Sequence, residues 1–219
     1  MDNSSKEYIS YFSHFNQKFS PGNRLINTFS NQFSFHYYPH NINNYIKNLD
    51  NMVIKISLIP TSSIVVLDTS IKNSVVISIS HIHLYNKPII KTIHWAINVT
   101  TTKAKLFAIR CGINQAINTP NVKHIIIITD SIHATERIFD SSPYLYQTHS
   151  AAIFKRLWEF FKVSVNNHIN FWDCSSKVNW PLYAAVDCDT KKFVAFLSFS
   201  CKSSWDFCKS YRDKFVLNS

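Results

Sequence analysis

Between Asp68 and Asp130 the chain has no aspartate or glutamate at all, although seven lysines and arginines fall in that stretch. The 219 residues include only two glycines. That leaves no glycine-rich loop to cradle a phosphate. The five cysteines, at 111, 174, 188, 201 and 208, contain no C-x-x-C pair. An odd count without that spacing excludes a closed disulfide framework and argues against a structural zinc site. No apolar run approaches the roughly 20 residues that span a bilayer. The first 20 residues are polar and aromatic and lack the apolar centre of a secretory signal, so an intracellular site, cytoplasmic or nuclear, is expected.

What the chain does have is a basic balance and enough apolar material for a core. Thirteen acidic residues face 23 basic ones, for a net charge of +10, and 46% of residues are hydrophobic. A surplus of that size favours an anionic partner such as nucleic acid. His81-x-His83 puts two imidazoles on one face of a strand and is read as strand surface.

The chain divides into an extension over 1–61, a main domain over 62–197 and a tail over 198–219. The extension is rich in Asn, Ser, Phe and Tyr, has weak periodicity before Met52, and is expected to be weakly structured. Beyond it the pattern sharpens. Ile64 to Leu67 is a short apolar run suited to a buried strand, Ser74 to Ser80 alternates, and Ile89 to Val99 supplies a third strand. Thr100-Thr101-Thr102 can cap a helix, and apolar residues at 106, 109, 113 and 116 give it helical spacing. Ile125 to Ile128 reads as another buried strand, and Ile132 to Phe139 as a short helix. Ser150 to Val163 is an amphipathic helix in which Trp158, Phe160 and Phe161 belong to the core. Ile169 to Trp172 is a last strand, and Asn179-Trp180-Pro181 opens a final helix through about Phe196. The order βββαβααβα predicts an α/β fold: a mixed five-stranded sheet, three antiparallel strands followed by parallel additions, with helices on its faces.

Asp68 and Asp130 each end an apolar run, and Asp187 lies on the final helix. Open α/β sheets place their chemistry at the C-terminal tips of such strands. Three carboxylates converging there are hard oxygen ligands suited to Mg²⁺ or Mn²⁺. Two such ions about 4 Å apart can activate water and steady the leaving oxygen of a phosphodiester.

Four segments together resemble type 1 ribonuclease H, in the variety carried by reverse-transcriptase polyproteins of fungal retrotransposons. They are Val65-Val66-Leu67-Asp68-Thr69-Ser70, Ala104-Lys105-Leu106-Phe107-Ala108-Ile109, Ile127-Ile128-Thr129-Asp130-Ser131, and Trp172 followed by Ala184-Ala185-Val186-Asp187. The resemblance covers about residues 62 to 195. Pro21-Gly22-Asn23-Arg24 through Phe35-His36 resembles the connection from polymerase to nuclease in such polyproteins. The resemblance implies a ribonuclease H-like fold and cleavage of the RNA strand of an RNA–DNA hybrid. It also implies that Asp68, Asp130 and Asp187 hold the metal ions.

The sequence departs from that family where its second acidic ligand belongs, in a pattern like Ala-Glu-Leu-x-Ala-Ile. Here the position is Lys105. An ammonium replaces a carboxylate beside divalent ions, and like charges 4 Å apart repel by about 4 kcal/mol at an effective dielectric near 20. Weak metal binding and reduced or absent activity are expected. Glu136 and Asp173 are the nearby carboxylates considered as substitutes. The family's histidine before its last aspartate is also absent from Asp173-Cys174-Ser175-Ser176-Lys177-Val178-Asn179. Ser70, Asn98, Thr100, Ser131 and Lys177 are candidates for contacts to phosphate or 2′-OH. The alternative reading is a catalytically inactive domain that binds nucleic acid or persists as a relic.

Overall fold

Four consecutive isoleucines set the centre of the molecule. In the computed structural model, which describes residues 24–37, 42–72, 75–97, 100–140 and 148–200, Ile125 to Ile128 are all buried. They belong to strand β5 (His124–Thr129). A strand covered on both faces has no polar side to alternate with, which is why it reads as an unbroken apolar run.

β5 pairs in parallel with β2 (Ser62–Lys72) on one side and with β6 (His168–Asp173) on the other. β2 continues antiparallel into β3 (Val75–Leu84) and β3 into β4 (Ile90–Ile97). A further strand, β1 (Phe33–His36), pairs in parallel with β6. The sheet order is β1-β6-β5-β2-β3-β4. The expected sheet had five strands; the observed one has six. The extra strand comes from the extension that was expected to be weakly structured.

Period-two alternation divides the core in two. Val65, Leu67, Ile125 and Ile127 face one side, under α3 (Thr101–Asn118), α4 (Ile132–Asp140) and α5 (Thr148–Val163). Phe160 and Phe161 are buried in this half, and Trp158 packs against it. Ile64, Val66, Ile126 and Ile128 face the other side, together with Tyr45 and Leu49 of α2 (Ile42–Ser57) and Tyr183 and Val186 of α6 (Pro181–Ser200). A short helix, α1 (Leu25–Thr28), buries Leu25 in the first core. The extension therefore helps build both cores over its described residues.

Two local features position the elements that carry the candidate site. On α3, Ala104, Ala108 and Gly112 are buried at four-residue spacing. A Cβ added at Gly112 would lie 3.0 Å from Leu67 Cδ2 and 3.1 Å from Val65 Cγ1. This stripe of small residues lets the helix lie close on β2. The entry to α6 is fixed by Asn179, whose φ of 50° is the left-handed conformation that asparagine tolerates. It is also fixed by Trp180, whose indole Nε1 donates to Asp50 Oδ1 of α2 at 2.9 Å.

α6 runs to Ser200, beyond the expected end near Phe196. Among the described residues, no helix is long and apolar enough to cross a membrane, and Cys111, Cys174 and Cys188 are free thiols.

Candidate functional site

The parity of β2 decides where Asp68 goes. Even-numbered residues face α2 and α6, so Asp68 follows Ile64 and Val66 to that side, where Tyr183 of α6 meets it. The Tyr183 hydroxyl donates to Asp68 Oδ1 at 3.1 Å. Asp130 follows directly on β5, the neighbour of β2. Asp187 lies one helical turn beyond Tyr183 on α6.

The charges of Asp130 and Asp187 both act on Asp68. The Asp68 carboxyl is pushed up to about 6, first by burial and then by the charges of Asp130 and Asp187. The Thr69 backbone N–H and the Tyr183 hydroxyl act in the opposite direction. Burial, followed by the charges of Asp68 and Asp130, keeps the Tyr183 phenol protonated far above its ordinary range. Burial also pushes the neighbouring Cys174 thiol up to about 12, with Asp173 and Asp130 adding to it. A thiol held there is a poor nucleophile.

Each aspartate is already engaged by a donor from the protein. Lys105 Nζ lies 3.0 Å from Asp130 Oδ2, and the Ser131 hydroxyl donates to Asp130 Oδ1 at 2.7 Å. Lys191 Nζ lies 2.6 Å from Asp187 Oδ2, one turn along the same helix. Tyr183 holds Asp68. Mg²⁺ demands near-octahedral oxygen ligation. Among the described residues no three His, Cys, Asp or Glu side chains form a group that could hold a metal ion. An ammonium on Asp130 takes the place of cationic charge that a divalent ion would supply. The residues as arranged do not fit a two-metal centre.

The other candidates scatter. Ser131 touches Asp130, and its carbonyl accepts from Ala134 N in the first turn of α4. Ser70 is half-buried in β2 opposite Ile77. Thr100 stands at the N-cap of α3 without a side-chain cap bond. Lys177 is exposed in a short 3₁₀ turn (Ser176–Val178), its backbone N–H bonded to Ser175 Oγ. Asn98 lies outside the described residues. Neither proposed substitute ligand joins the three aspartates in a metal-holding group. Glu136 instead pairs with His133 at 3.5 Å and helps hold the Tyr37 phenol up to about 12, after burial. Asp173 stands opposite Thr129, and its carbonyl accepts from Tyr45. His81 is buried and bonds Asp189 of α6 at 2.9 Å, rather than forming open strand surface.

Sequence reasoning missed Tyr183 and Lys191. Both were within reach of the four-residue helical spacing, one turn before and one turn after Asp187.

A stability test follows from the Asp68 shift. The ordinary value is 3.8, and the folded value is about 6. Below the lower value both folded and unfolded states hold the proton; between the two values only the folded state does. Stability is therefore lost as pH rises through this window, by about 3 kcal/mol in all. Asp68→Asn removes the ionisation and leaves an oxygen for Tyr183. We expect the variant to exceed wild type in urea midpoint at pH 8 and to converge with it near pH 4. A constant difference across that range would show that Asp68 titrates normally.

No family model matches the chain, and no curated protein matches it. Among solved structures, the protease–reverse transcriptase of prototype foamy virus is similar at 14% identity. The match covers 62% of this chain and 21% of that one, with a TM-score of 0.44. This chain thus spans well under two thirds of that protein, and a likeness this slight carries no argument about activity. The strand order and its crossovers define the class: an α/β fold with a mixed six-stranded sheet and helices on both faces.

Proposed function

We propose that this chain is a ribonuclease H-like domain of retroelement origin that binds nucleic acid, an RNA–DNA hybrid foremost, without two-metal hydrolysis. The observation that carries the reading is the ion pair between Lys105 and Asp130 at 3.0 Å. It supplies positive charge from within the chain where the resembled family recruits Mg²⁺ or Mn²⁺. Binding of either ion is accordingly weakened. The basic surplus of the chain supports an anionic partner. The acid-free stretch between Asp68 and Asp130 contributes to that surplus, and it includes β3, β4 and α3.

The test is anisotropy of a fluorescently labelled RNA–DNA hybrid, with cleavage followed on a gel. We expect binding in EDTA that excess Mg²⁺ does not strengthen, with an affinity that falls steeply as salt rises, and no cleavage. Mg²⁺-dependent cleavage that disappears in Asp130→Asn would show that three aspartates suffice and would overturn the inactive reading.

A further inference from the structure

Away from the three aspartates, α3 presents a second concentration of positive charge. Lys103, Phe107 and Arg110 follow one another at spacings of four and three, so they share one face of the helix. The buried residues of α3, Ala104, Leu106, Ala108, Ile109, Gly112, Ile113 and Ala116, lie on its other sides, and at one edge of the strip the Phe107 ring meets His94 of β4 at a centroid distance of 6.5 Å. At the edge of this face His149, in the first turn of α5, comes near. Arg110 Nη1 stands 3.5 Å from His149 Nδ1. The Phe107 ring meets the same imidazole edge-on, at a centroid distance of 5.6 Å.

Charge around these groups is uncompensated. None of the ion pairs among the described residues includes Lys103 or Arg110. Neither α3 nor α5 has an acid in its first turn to offset the positive end of the helix. The His149 imidazole is held below its ordinary value by burial, then by Arg110 and Lys103, so both cations lie within electrostatic reach of it. Clustered basic groups without acidic partners are costly to the fold unless an anion relieves them.

The dimensions suit a polynucleotide strand. Lys103 and Arg110 are seven residues apart, about 10 Å along a helix. That is the axial span of about three nucleotides at roughly 3.4 Å each. Phe107 lies between them with a half-exposed ring, and bases stack on rings placed in this way. The strip begins in the same first turn of α3 as Lys105, but residues two apart point to opposite sides of a helix, so this contact is separate from the Asp130 end of the sheet.

We propose that Lys103, Phe107 and Arg110 of α3, with His149 of α5, form a second nucleic-acid contact. In it the two cations hold phosphates of one strand and the phenyl ring packs against a base or sugar between them. This inference rests on the nucleic-acid-binding reading above.

The experiment measures hybrid binding by anisotropy in EDTA over a range of salt concentrations. It compares wild type, Lys103→Gln/Arg110→Gln and the charge-matched control Lys55→Gln/Lys162→Gln, with thermal melts confirming that each is folded. We expect the first pair to weaken binding by ten- to a hundredfold. It should also flatten the plot of log affinity against log salt by nearly two, at about 0.9 for each phosphate no longer neutralised. The control should weaken binding little. Phe107→Ala should weaken binding several-fold with no change of slope. Equal weakening in the two double variants would mean a diffuse charge effect and would overturn this inference alone. Binding of wild type to anionic phosphatidylserine vesicles, abolished in the first pair while hybrid binding persists, would overturn it in favour of a membrane surface. Failure of wild type to bind any hybrid would overturn this inference together with the reading it rests on.

Discussion

A chain beginning at residue 62 is expected not to fold. Removing residues 1–61 strips Leu25, Tyr45 and Leu49 from the buried cores, along with Phe29, Phe33 and Phe35 that pack on them. Phe35 stacks on Phe171 at a centroid distance of 5.1 Å, and Phe33 lies 4.4 Å from Phe139. Each large aromatic removed from a core costs about 3–5 kcal/mol. Two or three such removals match the entire stability of an ordinary domain, about 5–15 kcal/mol.

Polar ties go as well. The Gln32 side-chain amide donates to the carbonyls of Ser164 and Asn167 at 2.9 and 3.0 Å, closing the turn between α5 and β6. Trp180 Nε1 would lose its acceptor, Asp50. Circular dichroism and a urea titration check the result. A cooperative transition in the shortened chain, with a midpoint near that of the full one, would show that the part from residue 62 stands alone.

Lys105→Glu is expected to create a metal site. The Asp68 carboxyl, held up first by burial, also feels the charges of Asp130 and Asp187. The substitution removes the ammonium that occupies Asp130 and adds a carboxylate on the helix face nearest to it. Without metal, the variant should be less stable than wild type, because the introduced carboxylate and Asp130 would repel where an ion pair stood. With Mn²⁺ at a hundred times its dissociation constant, about 2.7 kcal/mol should return. A melting temperature that rises with Mn²⁺ in Lys105→Glu and stays fixed in wild type is the direct readout. Cleavage of an RNA–DNA hybrid should follow in the variant, at least about a hundredfold above wild type, which corresponds to about 2.7 kcal/mol of barrier. An equal Mn²⁺ response in both proteins would mean that Lys105 swings aside and that the native site binds metal.

Much of the sheet was legible in the sequence because burial leaves plain marks. Ile125 to Ile128 could only be a strand covered on both faces, and the 3-4-3 spacing from Leu106 to Ala116 could only be a helix. β1 left no such mark. It is four residues long, all half-buried, so neither alternation nor a continuous run separates it from a loop. α2 carries its buried residues at Tyr45 and Leu49 among asparagines and a lysine, which blurred the periodicity before Met52. The replacement at Lys105 was visible in the sequence. Its partner was not, because the ion pair depends on how closely α3 lies on β2, and that closeness comes from Ala104, Ala108 and Gly112 acting together. The long reach of Trp180 to Asp50 joins residues 130 positions apart, and no local pattern signals such a contact.

The placement of β1 has one more consequence. Without it, β6 would offer a row of unpaired amides and carbonyls to any passing chain. Open strand edges of that kind seed aggregation, and proteins blunt them with short or charged outer strands. Here one rim of the sheet is a strand of only four residues, and the other, β4, carries Lys91. β1 thus covers the β6 edge, so conditions that detach these four residues should promote self-association through β6.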